Sequence, residues 1–344
     1  MDFDKYIKNV PPSKKEKCQA WQTAIGLQAV DQLQPSAYLY ETAQKNIDGE
    51  LSFEEVQNLI KTYYESKISR NDDSDERTEE ADKVSARIAQ ILSEKSFSFS
   101  PLQLIAIHMR LFKGIFKFAG KIRDYDISKK EWVLNGDTVM YGSSYELKAT
   151  LDYDFEQEKN FSYKNLDNDQ VIVHIAKFIS GIWQIHAFGE GNTRTIAVFL
   201  IKYLGVLGYK VKNESFVENS WYFRNALVRA NYNNLKAGIH ETTEYLELFL
   251  RNLLLGEHNE LKNRTMHITY KSMNKQNDNV KLSENQKRIL QLIKDRPYLT
   301  QKELSENIGI TVANINRNMK KLGVLGLIRR IGADKNGCWE VLEK

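Results

Sequence analysis

Six positions within one ten-residue stretch, His186 to Thr195, combine side chains suited to handling phosphate: His186, Phe188, Glu190, Gly191, Asn192 and Arg194. An imidazole with an ordinary pKa of ~6.5 is mostly neutral at pH 7 and can accept a proton. Gly191 permits a positive φ and a close approach of backbone to ligand. Asn192 and Thr193 then lead into a helix whose first N–H groups point outward and favour an anion. Arg194, in that first turn, would oppose the helix dipole if it served structure alone, whereas a bound phosphate gives its fork a partner. Glu190 sits too near an anion site to be useful without an intervening cation, and Mg2+ is the natural one. Taken singly, a histidine after an apolar helix is usually a satisfied buried residue, and Phe188 is a core anchor. The six together are much harder to explain as packing.

Such a turn needs rigid supports. Apolar runs flank it, Val171 to Ile185 before and Ile196 to Leu207 after, and both are predicted as buried helices. Upstream, Ala20 to Ser66 shows helical spacing with turns at Gln34–Pro35 and Asp48–Gly49, and Arg70 to Glu80 is predicted as a charged, solvated loop. Helical spacing resumes at Ala81 and runs through Leu102 to Phe118. Glu131–Leu134, Asn135–Gly136 and Asp137–Tyr141 then read as a β-hairpin with a favoured two-residue turn. Helices are predicted again from Asn168 to Gly256, with polar breaks near 208–220 and 231–236.

These residues resemble the signature of the Fic (Fido) family, His-x-Phe-x-(Asp/Glu)-Gly-Asn-Gly-Arg-x-x-Arg, and the resemblance extends from about Ser100 to Leu254. Phe118–Arg123 is similar to the family's lead-in segment, the Asn135–Gly136 hairpin to its target-docking flap, and Phe223–Asn231 to its nucleoside-side helix. The resemblance implies protein adenylyltransfer, with AMP passing from ATP to a Ser, Thr or Tyr hydroxyl of a target protein. In that scheme His186 is the general base and Glu190 holds Mg2+. The Gly191–Thr193 backbone and the Asn192 side chain cradle phosphate, Arg194 neutralises the β/γ end, and Phe188 pins the loop. Phe223 and Asn231 line the nucleoside pocket, with helix packing the alternative for both, and Thr138–Tyr141 pairs with an extended stretch of the target. UMP, phosphocholine and phosphate donors also occur in the family; the retained Gly191 favours a nucleoside monophosphate.

The chain departs from that pattern at two signature positions. Thr193 stands where the third signature glycine belongs, and Ala197 where the second arginine belongs. An inhibitory segment of the family, Ser/Thr-x-x-x-Glu-Gly, has its nearest counterpart in Gln44 to Glu50, with Asp48 in the glutamate's place; it is expected to obstruct nucleotide weakly or not at all. The departures support an alternative, a DNA-binding regulator whose Fic-like core has become a ligand sensor or a structural body.

The C-terminal segment has its own character. From Glu284 to Lys344 there are seven lysines and five arginines against five glutamates and two aspartates, a net of +5 in a chain of net +4. A basic tail on a neutral body suggests that the tail alone meets a polyanion. A helix from Leu282, a Thr300/Glu303 capping box, a turn at Gly309–Thr311, a helix Val312–Leu322 and two strands around 333–337 resemble a bacterial winged helix. If it binds DNA, the second helix of the motif enters the major groove with Asn314, Arg317 and Lys320, and Arg329, Arg330 and Lys335 meet phosphates. Winged helices also dock proteins or dimerise, which leaves a homodimer open.

The expected fold is therefore mainly α: an N-terminal helical segment (1–80), a helical core with a β-hairpin flap (81–256), a linker (257–280) and an α+β winged helix (281–344). With 42% hydrophobic and 27% charged residues the composition is that of an ordinary globular protein. Two cysteines at opposite ends, Cys18 and Cys338, cannot build a disulfide framework. Without a leader-like or membrane-length apolar run, the expected location is cytoplasmic.

Overall fold

The computed structural model describes residues 11, 14–69, 76–211, 214–269, 282–324, 327–331 and 338–341. The chain divides into two compact units, Met1–Met266 and His267–Lys344. It is mainly helical, and the one sheet among the described residues is a two-stranded antiparallel ladder in the second unit. No described helix is long and apolar enough to cross a membrane.

In the first unit, α1 (Lys15–Gly26), a 3-10 turn (Leu27–Asp31), α2 (Ala37–Asp48), α3 (Phe53–Ser69) and α4 (Glu76–Ser93) precede α5 (Pro101–Phe112). Ser36 and Ser100 cap α2 and α5 by accepting from Leu39 N–H and Gln103 N–H, each satisfying an N-terminal donor that would otherwise be orphaned. The apolar spacing in 102–118 does not carry the helix to Phe118: α5 ends at Phe112, and Gly114 turns the chain at φ +75°. Phe116 and Phe118 fold back in a stacked row on Phe112. Glu76–Glu80, expected in a charged loop, is the first turn of α4; residues 70–75 lie outside the described chain.

The two apolar runs form α7 (Asn168–Ile185) and α8 (Asn192–Val206), following α6 (Leu147–Asn160). A capping box, Asp167 with Gln170, starts α7. Helix α8 is buried from Asn192 through Ile201 on every face, with α4, α5, α7 and the 27–31 turn packed around it. A helix apolar all round must lie inside, and this one carries the second half of the signature. Helices α9 (Glu214–Ala230), α10 (Glu244–Leu255) and the short α11 (Asn263–Met266) complete the unit. Residues 263–266, read from sequence as linker, thus belong to the first unit: Asn225 donates to Asn263 at 2.8 Å and Tyr245 to Thr265 O at 2.8 Å. Residues 270–281 lie outside the described chain.

In the second unit, α12 (Glu284–Asp295), α13 (Gln301–Ile308) and α14 (Val312–Val324) are followed by β1 (Ile328–Ile331) and β2 (Cys338–Val341), paired with Ile328 opposite Val341. The Thr300/Glu303 capping box forms as read, and Ser283 with Gln286 makes a second one on α12. Ile289, Ile293, Leu304, Ile315, Leu322 and Ile328 make a core separate from that of the first unit.

Candidate active site

His186 is the residue that ends α7, at φ +50° and ψ +56°. That left-handed conformation costs an L-residue roughly 1–2 kcal/mol, so the surroundings must impose it. Arg123, itself buried, does so. Its guanidinium donates to the carbonyls of His186 (2.8 Å), Gly142 (2.5 Å), Tyr125 (2.5 Å) and Ile185 (3.3 Å), and its own N–H reaches Ala187 O at 2.9 Å. A cation gathering carbonyls at a helix C-terminus also complements the helix dipole.

The imidazole of His186 is oriented by its own helix. Nδ1 lies 3.3 Å from Trp183 O; a carbonyl only accepts, so Nδ1 carries the proton and Nε2 keeps its lone pair. The ring packs against Tyr141 at 4.3 Å between centroids, and the residue is 4% exposed. Burial, reinforced by the charge of Lys129 and, more weakly, of Arg224 and Arg123, holds the imidazole well below its ordinary pKa. The imidazole is therefore neutral at pH 7.

His108, a residue that sequence reading passed over, locks the loop beyond. Its Nδ1 accepts from Gly120 N–H at 2.9 Å and its Nε2 donates to Glu190 O at 3.0 Å. Its face stacks on Phe188 at 3.7 Å between centroids. Burial pushes this imidazole down to about 4. The one signal in the sequence was a histidine interrupting the apolar spacing of α5. Gly191, at φ +77°, is obligatory for space as well as conformation: a Cβ there would lie 2.3 Å from the Phe112 ring.

The side chains of Asn192, expected to cradle phosphate, and of Thr193 beside it are otherwise engaged. The Asn192 amide closes the loop on itself, donating to Phe188 O at 2.7 Å and accepting from Phe188 N–H at 3.0 Å. Thr193 Oγ1 accepts from Trp183 Nε1 at 3.0 Å, tying the two helices together. What remains is backbone: no side chain caps α8, so its first N–H groups are available to an anion. Arg194 is the largest departure from expectation. It is 2% exposed, with Nε 2.8 Å from Asp31, Nη2 2.6 Å from Glu80, Nη1 donating to Gln28 at 3.2 Å, and its plane 4.9 Å above the Phe112 ring. The carboxylates supply the negative charge that the sequence argument reserved for a phosphate. Ala197 is fully buried and adds no cation.

Residues 98–204 match the model of the Fic/DOC family, and residues 282–329 match that of a winged helix-turn-helix DNA-binding domain. The chain carries a Fic/DOC domain. Its matched segment contains all of the turn just described, together with α5, α6 and α7 and nearly all of α8.

Within the Fic/DOC domain, Glu190 holds its carboxylate in solvent, 55% exposed, and pairs with Lys129 at 2.8 Å. Lys129 precedes the segment read as a hairpin. The Asn135–Gly136 turn is present, both residues at positive φ, and Glu131 N–H bonds to Asp137 O at 2.9 Å. Strands are not: Trp132–Leu134 is a 3-10 turn and Thr138–Tyr141 belongs to no ladder. Val133 and Leu134, adjacent in sequence, are both buried, whereas a flap strand with one face in solvent would bury only alternate residues. Thr138 spends its hydroxyl on Val139 O (3.1 Å) and on Lys129 N–H (3.2 Å). Tyr141 donates to buried Glu131 at 3.0 Å, which in turn forms a two-pronged pair with Arg224 (2.5 and 3.1 Å). Burial and the Glu131 charge raise the Tyr141 pKa, so it is a neutral wall beside His186.

The residues assigned to a nucleoside pocket are packing residues in the structure. Phe223 is fully buried between Phe216 and Phe249. Asn231 donates to Ser180 O (3.0 Å) and Leu227 O (2.9 Å), tying the end of α9 to α7. Asp48, read as the counterpart of the inhibitory glutamate, pairs with Lys14 at 2.7 Å.

In the winged helix, Asn314, Arg317 and Lys320 are exposed at three-residue spacing on α14, opposite buried Ile315, Met319 and Leu322. That face is free to approach a groove. Arg329 sits directly across from Glu340 and is ion-paired to it, which offsets the charge expected to meet phosphate. Arg330 lies on β1, its side chain outside the described residues, as is Lys335.

Proposed function

We propose that the first unit transfers a nucleoside monophosphate, AMP from ATP, to a hydroxyl of a protein, and that the winged helix brings this activity to DNA. The observation that carries the reading is His186: a neutral imidazole with its Nδ1 proton fixed and its Nε2 lone pair left free, one residue turn away from an uncapped helix N-terminus.

In this scheme His186 Nε2 takes the proton of the acceptor hydroxyl. The hydroxyl oxygen bonds to the α-phosphorus as the bond from that phosphorus to the bridging oxygen breaks, and pyrophosphate leaves. The amides at the start of α8 face the oxygens on which charge builds. Lys129, paired with Glu190, replaces Arg194 as the cation for the leaving phosphates. Glu190 would hold Mg2+; a magnesium ion takes one or two carboxylates plus substrate phosphates, so a single exposed glutamate fits, with Lys129 moving aside. When bound, the ion would offset phosphate charge. No cluster of three candidate ligands occurs among the described residues, so substrate must supply the remaining donors.

The test is incubation of the full chain with Mg2+ and ATP labelled on the α-phosphate. Label is expected on protein and is expected to vanish with His186→Ala. A second reading, a DNA-binding regulator with a structural Fic/DOC body, is favoured by the burial of Arg194 on two carboxylates. It predicts no transfer, with salt-sensitive DNA binding that depends on Arg317.

A further inference from the structure

A polar cleft lies between α3, α4 and the end of α5, on residues the scheme above does not use. Two cavities, of about 440 and 330 Å3, share Gln57, Asn58, Arg87 and Lys113 and so adjoin along these side chains. Five cationic side chains line it against two carboxylates, Glu54 and Glu65. Three of the five are already matched. Lys83 pairs with Glu79, Arg110 makes a two-pronged pair with Glu94 (2.7 and 2.5 Å), and Lys61 reaches Glu65 at 3.8 Å.

Arg87 and Lys113 are the remainder. Neither has a carboxylate at ion-pair distance among the described residues. Arg87 uses one N–H, donated to Leu111 O at 2.8 Å, out of the five a guanidinium carries. It is partly buried, and burial lowers its pKa, so its charge is desolvated without a counter-charge. The cleft wall offers the side-chain amides of Asn58 and Gln90 as neutral donors, the Gln57 amide donating to Gln90 Oε1 at 2.7 Å, and no aromatic ring on which a base could stack.

We propose that this cleft is a binding site for a small, multiply charged phosphate compound, a polyphosphate or phosphate ester, held by Arg87 and Lys113. Donors converge from two helices and the end of a third, and a phosphate group, with acceptor oxygens in several directions, can meet all of them where a carboxylate reaches one side. Each cavity is too large for one inorganic phosphate alone and too small for a macromolecule. The site backs onto the signature turn: Leu111, whose carbonyl Arg87 holds, precedes Phe112, the ring beneath Gly191 and Arg194.

The experiment is calorimetric titration of the full chain with sodium tripolyphosphate at fixed ionic strength. Saturable binding is expected, weakened roughly ten-fold or more by Arg87→Gln and by Lys113→Gln, and unchanged in His186→Ala. Lys113 is exposed, so its variant keeps the fold and decides the matter alone if Arg87→Gln does not fold. Absence of saturable binding, binding matched by an equal ionic strength of chloride, or full binding in Lys113→Gln would each overturn the assignment. Loss in His186→Ala would place the anion at the signature turn instead, and would equally overturn it.

Discussion

Replacing Arg194 with methionine is expected to destabilise the first unit by about 3–5 kcal/mol, the cost of removing one partner from a buried ion pair. Asp31 and Glu80 would be left facing an apolar side chain, with the Gln28 carbonyl oxygen unpaired as well. Domains of ordinary stability hold about 5–15 kcal/mol in total, so the variant should be near its limit, read as a lowered midpoint in urea. An arginine that served phosphate would behave in the opposite way: the variant would fold normally and lose only nucleotide affinity. Arg194→Lys is expected to recover part of the loss, since a lysine keeps the charge but cannot meet three acceptors and stack on Phe112. A double-mutant cycle with Glu80→Gln, showing a coupling above the noise of independent sites, separates the ion pair from simple packing.

The second large effect is on pH. His108 titrates at about 4 in the fold and near ~6.5 in an unfolded chain. Between those values the unfolded state binds more protons, so unfolding free energy rises with pH. The contribution is complete above the unfolded value and is lost as pH falls towards 4; it amounts to about 3 kcal/mol. His186, also held low by burial, adds in the same direction. Urea unfolding at a series of pH values should therefore show a steep decline below pH 6.5. His108→Gln, neutral throughout, should flatten that decline whatever it does to the stability at pH 7. A slope unchanged by the substitution would show that His108 is protonated in the fold.

Local signals in the sequence were enough for a good part of this. The helices around the turn follow from apolar runs long enough to be buried on all sides, and His186 and Gly191 stand where the spacing placed them. The winged helix is legible from its capping box and its alternation of turn and helix. What was hidden depends on residues distant in the chain. Arg194 meets Asp31 and Glu80, each more than a hundred positions away, and no pattern within the signature announces them. The same distance conceals the pairing of Glu131 with Arg224 and of His108 with Glu190 O. The hairpin failed for a different reason. Asn135–Gly136 is a true turn signal, but Trp132–Leu134 before it winds as a 3-10 turn that buries both Val133 and Leu134, which an open flap strand with one wet face would not. Phe223 and Asn231 show that a side chain suited to a pocket is equally suited to helix packing.

The most direct test of the proposed transfer is a crystal structure of the full chain with Mg2+ and a non-hydrolysable ATP analogue. The account predicts the α-phosphate on the backbone amides of Gly191–Thr193, with His186 Nε2 facing the position of an incoming hydroxyl and Arg194 still bound to Asp31 and Glu80. A nucleotide seated elsewhere with the turn empty, or His186 Nε2 closed off from the bound phosphate, would contradict it.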